Sequence, residues 1–212
     1  VTGDADDYFV NHFRSRRFPW SLYHRPIEHD LEAFLSELAR ETPEARVLVI
    51  GCGLMHELDR IPERFRLTLV DADPRVVREV EKRSDPRIAS VHCVAEDAGL
   101  DTVGADFDAV YGKEVIEHCP AWRDFLLSIR KVLRPSGRLW LSTPNYGEPW
   151  LPLLEYTVLE LIARGSGYSR FGIHPSRFSR ASLRQALGEA GYREIRVEPV
   201  AFRLALTAHA RL

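Results

Sequence analysis

Several features that mark specialised protein classes are scarce or missing in this sequence. Its 212 residues hold only three cysteines, Cys52, Cys93 and Cys119, an odd number with no CxxC pair. That excludes a disulfide framework and leads us to expect a reducing, cytoplasmic setting. No apolar run approaches the ~20 residues that a membrane-spanning helix needs. The formal net charge is only −2, so there is no electrostatic case for a nucleic-acid partner. The one local basic cluster, "HFRSRRF" (His12 to Phe18), reads as a solvated N-terminal arm. Internal repeats and low-complexity tracts are missing too. No signal-peptide pattern opens the chain, and Val1 in place of an initiator methionine reads as a processed or trimmed start.

What is present is ordinary for a soluble globular protein: 45% hydrophobic and 28% charged residues. The length suits one domain with a well-buried core. Short apolar runs closed by turn residues alternate with segments at helical spacing. "ARVLVIGCG" (Ala45 to Gly53) and "FRLTLVDAD" (Phe65 to Asp73) read as strands, and "PRVVREVEKR" reads as the helix after the second. "IASVHCVAED" (Ile88 to Asp97) follows, then "DFDAVYGKEVIEH", read as a strand running into a helix. "DFLLSIRKVLRPSGRLWLSTPN" reads as a helix ending near Arg134, a turn, and a strand from Arg138 to Ser142. Such alternation implies a parallel sheet covered by helices on both faces, an α/β fold.

The tail departs from that rhythm. A helix opened by Ser179 and stopped by Gly191 precedes two strand-like runs with no helix between them, and strands so close can pair only antiparallel. The expected organisation is a single domain over 1–212. Residues 1–44, with Tyr8, Phe9, Phe13, Phe18, Trp20 and Tyr23, form an N-terminal helical and aromatic cap, and 146–178 form an inserted substrate lid. Both would cover the strand C-termini, where ligands bind in open α/β sheets.

A glycine pair, Gly51 and Gly53, follows the first strand, and Asp71 closes the second, 20 residues after Gly51. A tight turn that lets a ligand approach backbone, plus a carboxylate able to accept from two ribose hydroxyls, suits a nucleoside. The turn continues Cys52, Gly53, Leu54, Met55, His56 without the third glycine of a dinucleotide fingerprint, which weighs against hydride transfer. Cys52 reads as a small buried residue rather than a nucleophile, and Arg25 as a surface arginine or a partner for a cofactor carboxylate.

"KEVIEHC" (Lys113 to Cys119) carries the other signal. On a helix Glu114, Glu117 and His118 fall at i, i+3 and i+4, on one face. Like charges one turn apart cost a helix roughly 0.2–0.5 kcal/mol, a sign that a facing cation would reverse. Alternatively Glu114 complements the helix dipole and Glu117 caps local donors. With His174, in "GIHPSRFS", these residues make up a divalent-metal donor set; without metal, His118 or His174 would serve as general base. His56, His92 and His209 read as surface or satisfied packing positions.

Taken together, "VLVIGCG", "LVDADP", "AED", "FDAVYGKEVIEH", "VLRPSGRLWLSTPN" and "HPSRFSRASLRQALGEAGY" resemble class I S-adenosylmethionine-dependent methyltransferases. The resemblance implies a Rossmann-like, seven-stranded, mostly parallel sheet with an antiparallel final hairpin. It places the methionine part of S-adenosylmethionine near Gly51, Cys52 and Gly53, the ribose on Asp71, and adenine beside Ala72, Ala95, Glu96 and Asp97. Lys113 would border the methyl centre. The chain departs from the family pattern at Val49, where an acid is common, and at Met55, where a third glycine is common.

Glu114, Glu117 and His118 with a later histidine are similar to the metal site of small-RNA 3′-end 2′-O-methyltransferases. They also resemble ubiquinone-biosynthesis O-methyltransferases. Mixed N and O donors suit Mn, Fe, Co or Zn, while Mg prefers more oxygen. The expected function is O-methylation of a small-molecule acceptor, a phenol, quinol precursor or sugar, enclosed by Trp20, Tyr146, Trp150 and Tyr156. Two other readings stay open: an RNA 3′-end methyltransferase, and a methyltransferase-fold binding protein without turnover.

Overall fold

The computed structural model describes residues 18, 20–94, 99–165 and 172–212; residues 12–17 of the basic arm lie outside them. The sheet runs β3-β2-β1-β4-β5-β7-β6. Its strands are β1 (Arg46–Ile50), β2 (Arg66–Asp71), β3 (Ile88–Cys93), β4 (Phe107–Lys113), β5 (Leu133–Pro144), β6 (Arg193–Val200) and β7 (Ala205–Arg211). The first five strands pair in parallel, and β7 pairs antiparallel with both β5 and β6. This is the seven-stranded sheet with an antiparallel final hairpin expected from the resemblance. The strand order reverses between β1 and β4, where Ile50 lies beside Gly112. A crevice opens there at the strand C-termini.

The apolar runs of β1 and β4 are long because both faces of the sheet are covered. Val47 and Val49 point to one core, with Ile27, Leu31, Phe34 and Leu38 of α1 (Ser21–Glu41) and Val76 and Val80 of α2 (Pro74–Glu81). Leu48 and Ile50 point to the other, with Leu126 and Ile129 of α3 (Trp122–Val132) and Leu183 and Leu187 of α6 (Arg180–Glu189). Each fully buried side chain of this kind contributes about 1.5–3 kcal/mol. Helix starts follow the sequence signals. Asp73 caps α2 by accepting from Arg75 N–H, and Ser179 caps α6 in a reciprocal box with Ser182. Gly191, at φ +86°, follows the end of α6.

Two expectations need correction. "KEVIEH" is not a helix. Glu114 has φ +57° and Val115 a non-helical backbone, so the chain makes only a 3₁₀ turn, Ile116–His118. The Glu114 N–H is drawn to the Ser142 carbonyl and hydroxyl instead of joining a helical ladder. The helix after it ends at Val132 rather than near Arg134, and β5 begins at once, carrying the Pro135–Gly137 turn within it as an irregularity in its pairing with β4. The inserted segment is a broken helix: α4 (Trp150–Leu154), a widened π segment (Glu155–Leu159) and α5 (Glu160–Gly165).

The N-terminal helix is tied to the sheet by a polar contact as well as by its apolar stripe. Asp30 accepts from Trp140 Nε1 at 2.8 Å and from His209 Nε2 at 2.7 Å, so His209 is a satisfied packing residue. Burial opposes ionisation of Asp30, but the hydrogen bonds from His209 and Trp140 outweigh it and hold its carboxyl below the ordinary carboxylate range. Its contribution to stability is therefore present above the unfolded-state pKa of about 4 and lost as pH falls through the lower folded value. Asp30→Ala should lower unfolding stability by about 2 kcal/mol near neutrality, with a smaller difference from wild type below pH ~3, as read by urea denaturation across pH.

Candidate active site at the carboxyl edge of the sheet

The turn after β1 is shaped by its backbone. Gly51 and Gly53 adopt φ +61° and +49°, and a Cβ on Gly51 would lie 2.4 Å from Val115 Cγ2. Only glycine allows that approach. Met55 takes φ +47° itself, where the family has its third glycine, and its side chain fills the core with Val49. The two departures are thus one apolar packing solution. Asp71 closes the turn: Gly53 N–H donates to its Oδ2 at 2.9 Å and Asp73 N–H to its Oδ1 at 2.9 Å. A carboxylate offers about four acceptor positions, so both oxygens retain capacity toward a ligand's hydroxyls.

Cys52 is buried, which pushes its thiol pKa up and keeps it neutral, in keeping with a packing role. Ala72 is exposed at the end of β2; Ala95, Glu96 and Asp97 lie outside the described residues. Lys113 ends β4 and pairs with Glu57 at 3.1 Å, with Glu28 at 3.9 Å. Burial opposes the charge on Glu57, yet Lys113 outweighs it and lowers that carboxyl. Arg25 is exposed on α1.

Across the crevice the KEVIEH turn supplies the second half of the site. Glu117 is 1% exposed and accepts from Thr143 Oγ1 at 3.0 Å. Glu114 accepts from Ser142 Oγ at 2.9 Å and from Tyr23 OH at 2.7 Å. Burial, and then the charge of Glu114, raise the Glu117 carboxyl well above its ordinary value. Burial also raises Glu114, against the hydrogen bonds from Tyr23 and Ser142. Two carboxyls held this way favour a shared proton or a cation.

The segment after residue 172 is stapled to this turn. Ser176 N–H donates to the Glu117 carbonyl at 3.1 Å and Ser176 Oγ to the Cys119 carbonyl at 2.7 Å. His118 Nδ1 meets the Ile173 carbonyl at 2.9 Å, a contact that puts the proton on Nδ1 and the lone pair on Nε2. The staples bring the His118 and His174 rings to 5.0 Å between centroids. Ligand atoms of Glu117, His118 and His174 all lie within 4.8 Å of one another. The turn thus brings together three of the four residues singled out, while Glu114 faces Tyr23 and Ser142.

Sequence reasoning passed over several residues here. Tyr23 stood out only as one of many aromatics, and His24 not at all. Burial and the Lys113 charge lower the His24 imidazole to about 4, so it is neutral near pH 7. Ser142 and Thr143 are hidden in a strand that reads simply as apolar alternation. Trp150, expected over the acceptor, is 64% exposed and lines a surface cavity of about 600 Å³ with Leu153, Phe202 and Arg203. Gly51→Ala should destabilise the fold by at least ~1 kcal/mol, because alanine is strained in the left-handed region and its Cβ meets Val115; thermal unfolding would register the loss.

A family model described as "Methyltransferase domain" matches residues 22–197. The chain is 35% identical over 122 residues to the mitochondrial ubiquinone biosynthesis O-methyltransferase of Schizosaccharomyces pombe, covering 52% of this chain and 43% of that protein. It is 31% identical over 156 residues to the ubiquinone biosynthesis O-methyltransferase of Xanthomonas oryzae pv. oryzae, covering 67% and 62%. The chain therefore spans less than two thirds of the length of these curated relatives.

Similar solved structures include magnesium protoporphyrin IX methyltransferase from Synechocystis PCC 6803 with bound SAH, with TM-score 0.65 at 17% identity over 97% of this chain and 96% of that one. A SAM-dependent methyltransferase from Aquifex aeolicus gives TM-score 0.64 at 15% identity over 96% and 97%. These likenesses speak for the fold. With a family match across most of its length, on a sheet of this order, the chain belongs to the class I S-adenosylmethionine-dependent methyltransferases.

Proposed function

We propose that this methyltransferase transfers its methyl group to a hydroxyl of a small molecule, a phenol, quinol or sugar, with help from a divalent cation. The observation that carries the reading is the convergence of Glu117, His118 and His174 within 4.8 Å, across the crevice from the Gly51 turn. The relatives named for ubiquinone biosynthesis O-methylation support an oxygen acceptor. Three free cysteines suit a reducing compartment. Among the described residues no helix is long and apolar enough to cross a membrane. The cap over 1–44 and the lid over 146–178 would supply the acceptor pocket.

The donor set fits a cation. One buried carboxylate oxygen and two imidazole nitrogens match Mn, Fe, Co or Zn better than Mg. His118 has its Nδ1 engaged by a backbone carbonyl, the outer hydrogen bond usual for a ligating histidine. When bound, the sulfonium cofactor supplies an electrophilic methyl group and a divalent ion acidifies and positions the acceptor hydroxyl.

The residues of the chain do the rest. Asp71 and the Gly51–Gly53 turn hold the ribose and the amino-acid end, and Ala72 with the 95–97 loop borders adenine. Lys113, held by Glu57, walls the methyl centre. Glu117, His118 and His174 orient the acceptor oxygen through the cation they would hold; without a cation, the Nε2 of either imidazole can take its proton. Tyr23, kept protonated by burial and by Glu114, donates to the Glu114 carboxyl and holds it beside the cluster.

The test uses chelator-treated protein, with S-adenosylhomocysteine for binding and with S-adenosylmethionine, Mn salt and catechol as probe acceptor for turnover. Asp71→Ala should abolish S-adenosylhomocysteine binding in calorimetry. Glu117→Ala should spare that binding and lower methylation of catechol oxygen at least ~100-fold. Full turnover by Glu117→Ala, or by the chelated enzyme, would remove the cation from the reading. A methyl group found on carbon would remove the oxygen acceptor.

A further inference from the structure

A buried carboxylate on the inserted segment has no part in the chemistry described so far. Glu155, the first residue of the π segment, is 3% exposed, although the same broken helix turns Trp150, Leu153 and Leu161 outward. Burying a carboxylate costs several kcal/mol unless it is matched by partners. Its partners lie at the candidate site. Glu155 Oε1 is 3.1 Å from His174 Nδ1, and Glu155 Oε2 accepts from Tyr146 OH at 2.8 Å. Tyr146 Oη is itself 2.6 Å from His174 Nδ1.

One proton arrangement satisfies all three contacts. The carboxylate can only accept, so the Tyr146 hydroxyl hydrogen points to Glu155, and burial and the Glu155 charge raise the phenol so that it stays protonated. Both oxygens facing His174 Nδ1 are then acceptors, and Nδ1 must carry the hydrogen. We infer that Glu155, aided by Tyr146, is a positioning residue that fixes His174 as the Nδ1–H tautomer and leaves Nε2 as the nitrogen able to offer a lone pair to the cluster.

The neighbouring imidazole is fixed in the same sense by a different device. His118 uses the Ile173 backbone carbonyl, which no side-chain replacement removes, whereas His174 depends on a side chain carried by a separate helix. π segments occur often at functional sites, and here the widened turn carries Glu155, which reaches His174 from that helix. Carboxylate–histidine pairs of this form set ligand orientation, and their loss typically costs 10–100-fold in metal affinity.

The inference rests on the cation reading for its consequence but not for the tautomer itself, and the experiment separates the two. Nitrogen-15 NMR of the imidazoles in the cation-free full chain should show His174 protonated on Nδ1. Glu155→Gln, whose amide can donate to Nδ1, should shift that signal toward the Nε2–H form, and Glu155→Asp should restore part of the original pattern. Calorimetry with Co salt should show Glu155→Gln weakened 10–100-fold, with a visible absorption band altered in the same way as in His174→Ala. S-adenosylhomocysteine affinity should be unchanged.

An Nε2–H signal for His174 in the wild type would overturn the inference, as would wild-type Co affinity and spectrum in Glu155→Gln. If the wild type binds no Co or Mn, the cation reading fails, and the tautomer shift alone decides the role of Glu155. Tyr146→Phe, which keeps the carboxylate, gives the same readouts should Glu155→Gln fail to fold; it should loosen the tautomer preference, and an unchanged signal would count against the relay.

Discussion

Two carboxylates, the buried Glu117 and the half-buried Glu114, share one turn, and much of the surrounding structure serves to keep them there. Unpaired buried charge is among the most costly arrangements a protein can hold. The remedies come from every part of the chain. Tyr23 arrives from the N-terminal helix, Ser142 and Thr143 from the end of β5, and Ser176 fastens the later histidine segment onto the same turn. Glu114 also accepts a left-handed backbone, φ +57°, a conformation that costs a non-glycine residue on the order of 1–2 kcal/mol and persists only where its surroundings enforce it. Strain and buried charge at one point are what a functional site looks like from the standpoint of stability.

The fold was legible because it rests on patterns local in sequence. Apolar runs in β1, β2 and β4, a glycine turn, Asp73 and Ser179 as helix caps, and a helix-free gap before β7 each signal their element within a few residues. The site was legible in composition but not in shape. Glu114, Glu117 and His118 sit at helical spacing, yet the β5 terminus takes the Glu114 N–H and diverts the chain into a 3₁₀ turn. No periodicity argument can anticipate a hydrogen bond from a strand almost thirty positions away. The result is that Glu117 and His118, rather than all three, join His174.

Other residues were illegible for a related reason. Glu155 reads as one more charged position in the inserted segment, since its partner His174 lies further along the chain and its inward turn depends on a π segment that no residue type announces. Met55 and Val49 read as departures from a family pattern. In the folded protein they pack together in one core, and the turn keeps its left-handed backbone without the glycine. A motif defined by residue identity can thus be missing where the backbone conformation it stands for is present.

The fastening of the histidine segment shapes how the inserted helix relates to the crevice. Tyr146 is anchored to Phe178 through the backbone, and Ile173 and Ser176 are anchored to the KEVIEH turn. His174 is therefore held by the sheet edge whatever the helix above it does, and Glu155 travels with the helix. A shift of that helix by a few ångströms would leave the imidazole in place and change which of its nitrogens holds the hydrogen. The ring would then report, in the position of a single proton, where that helix lies.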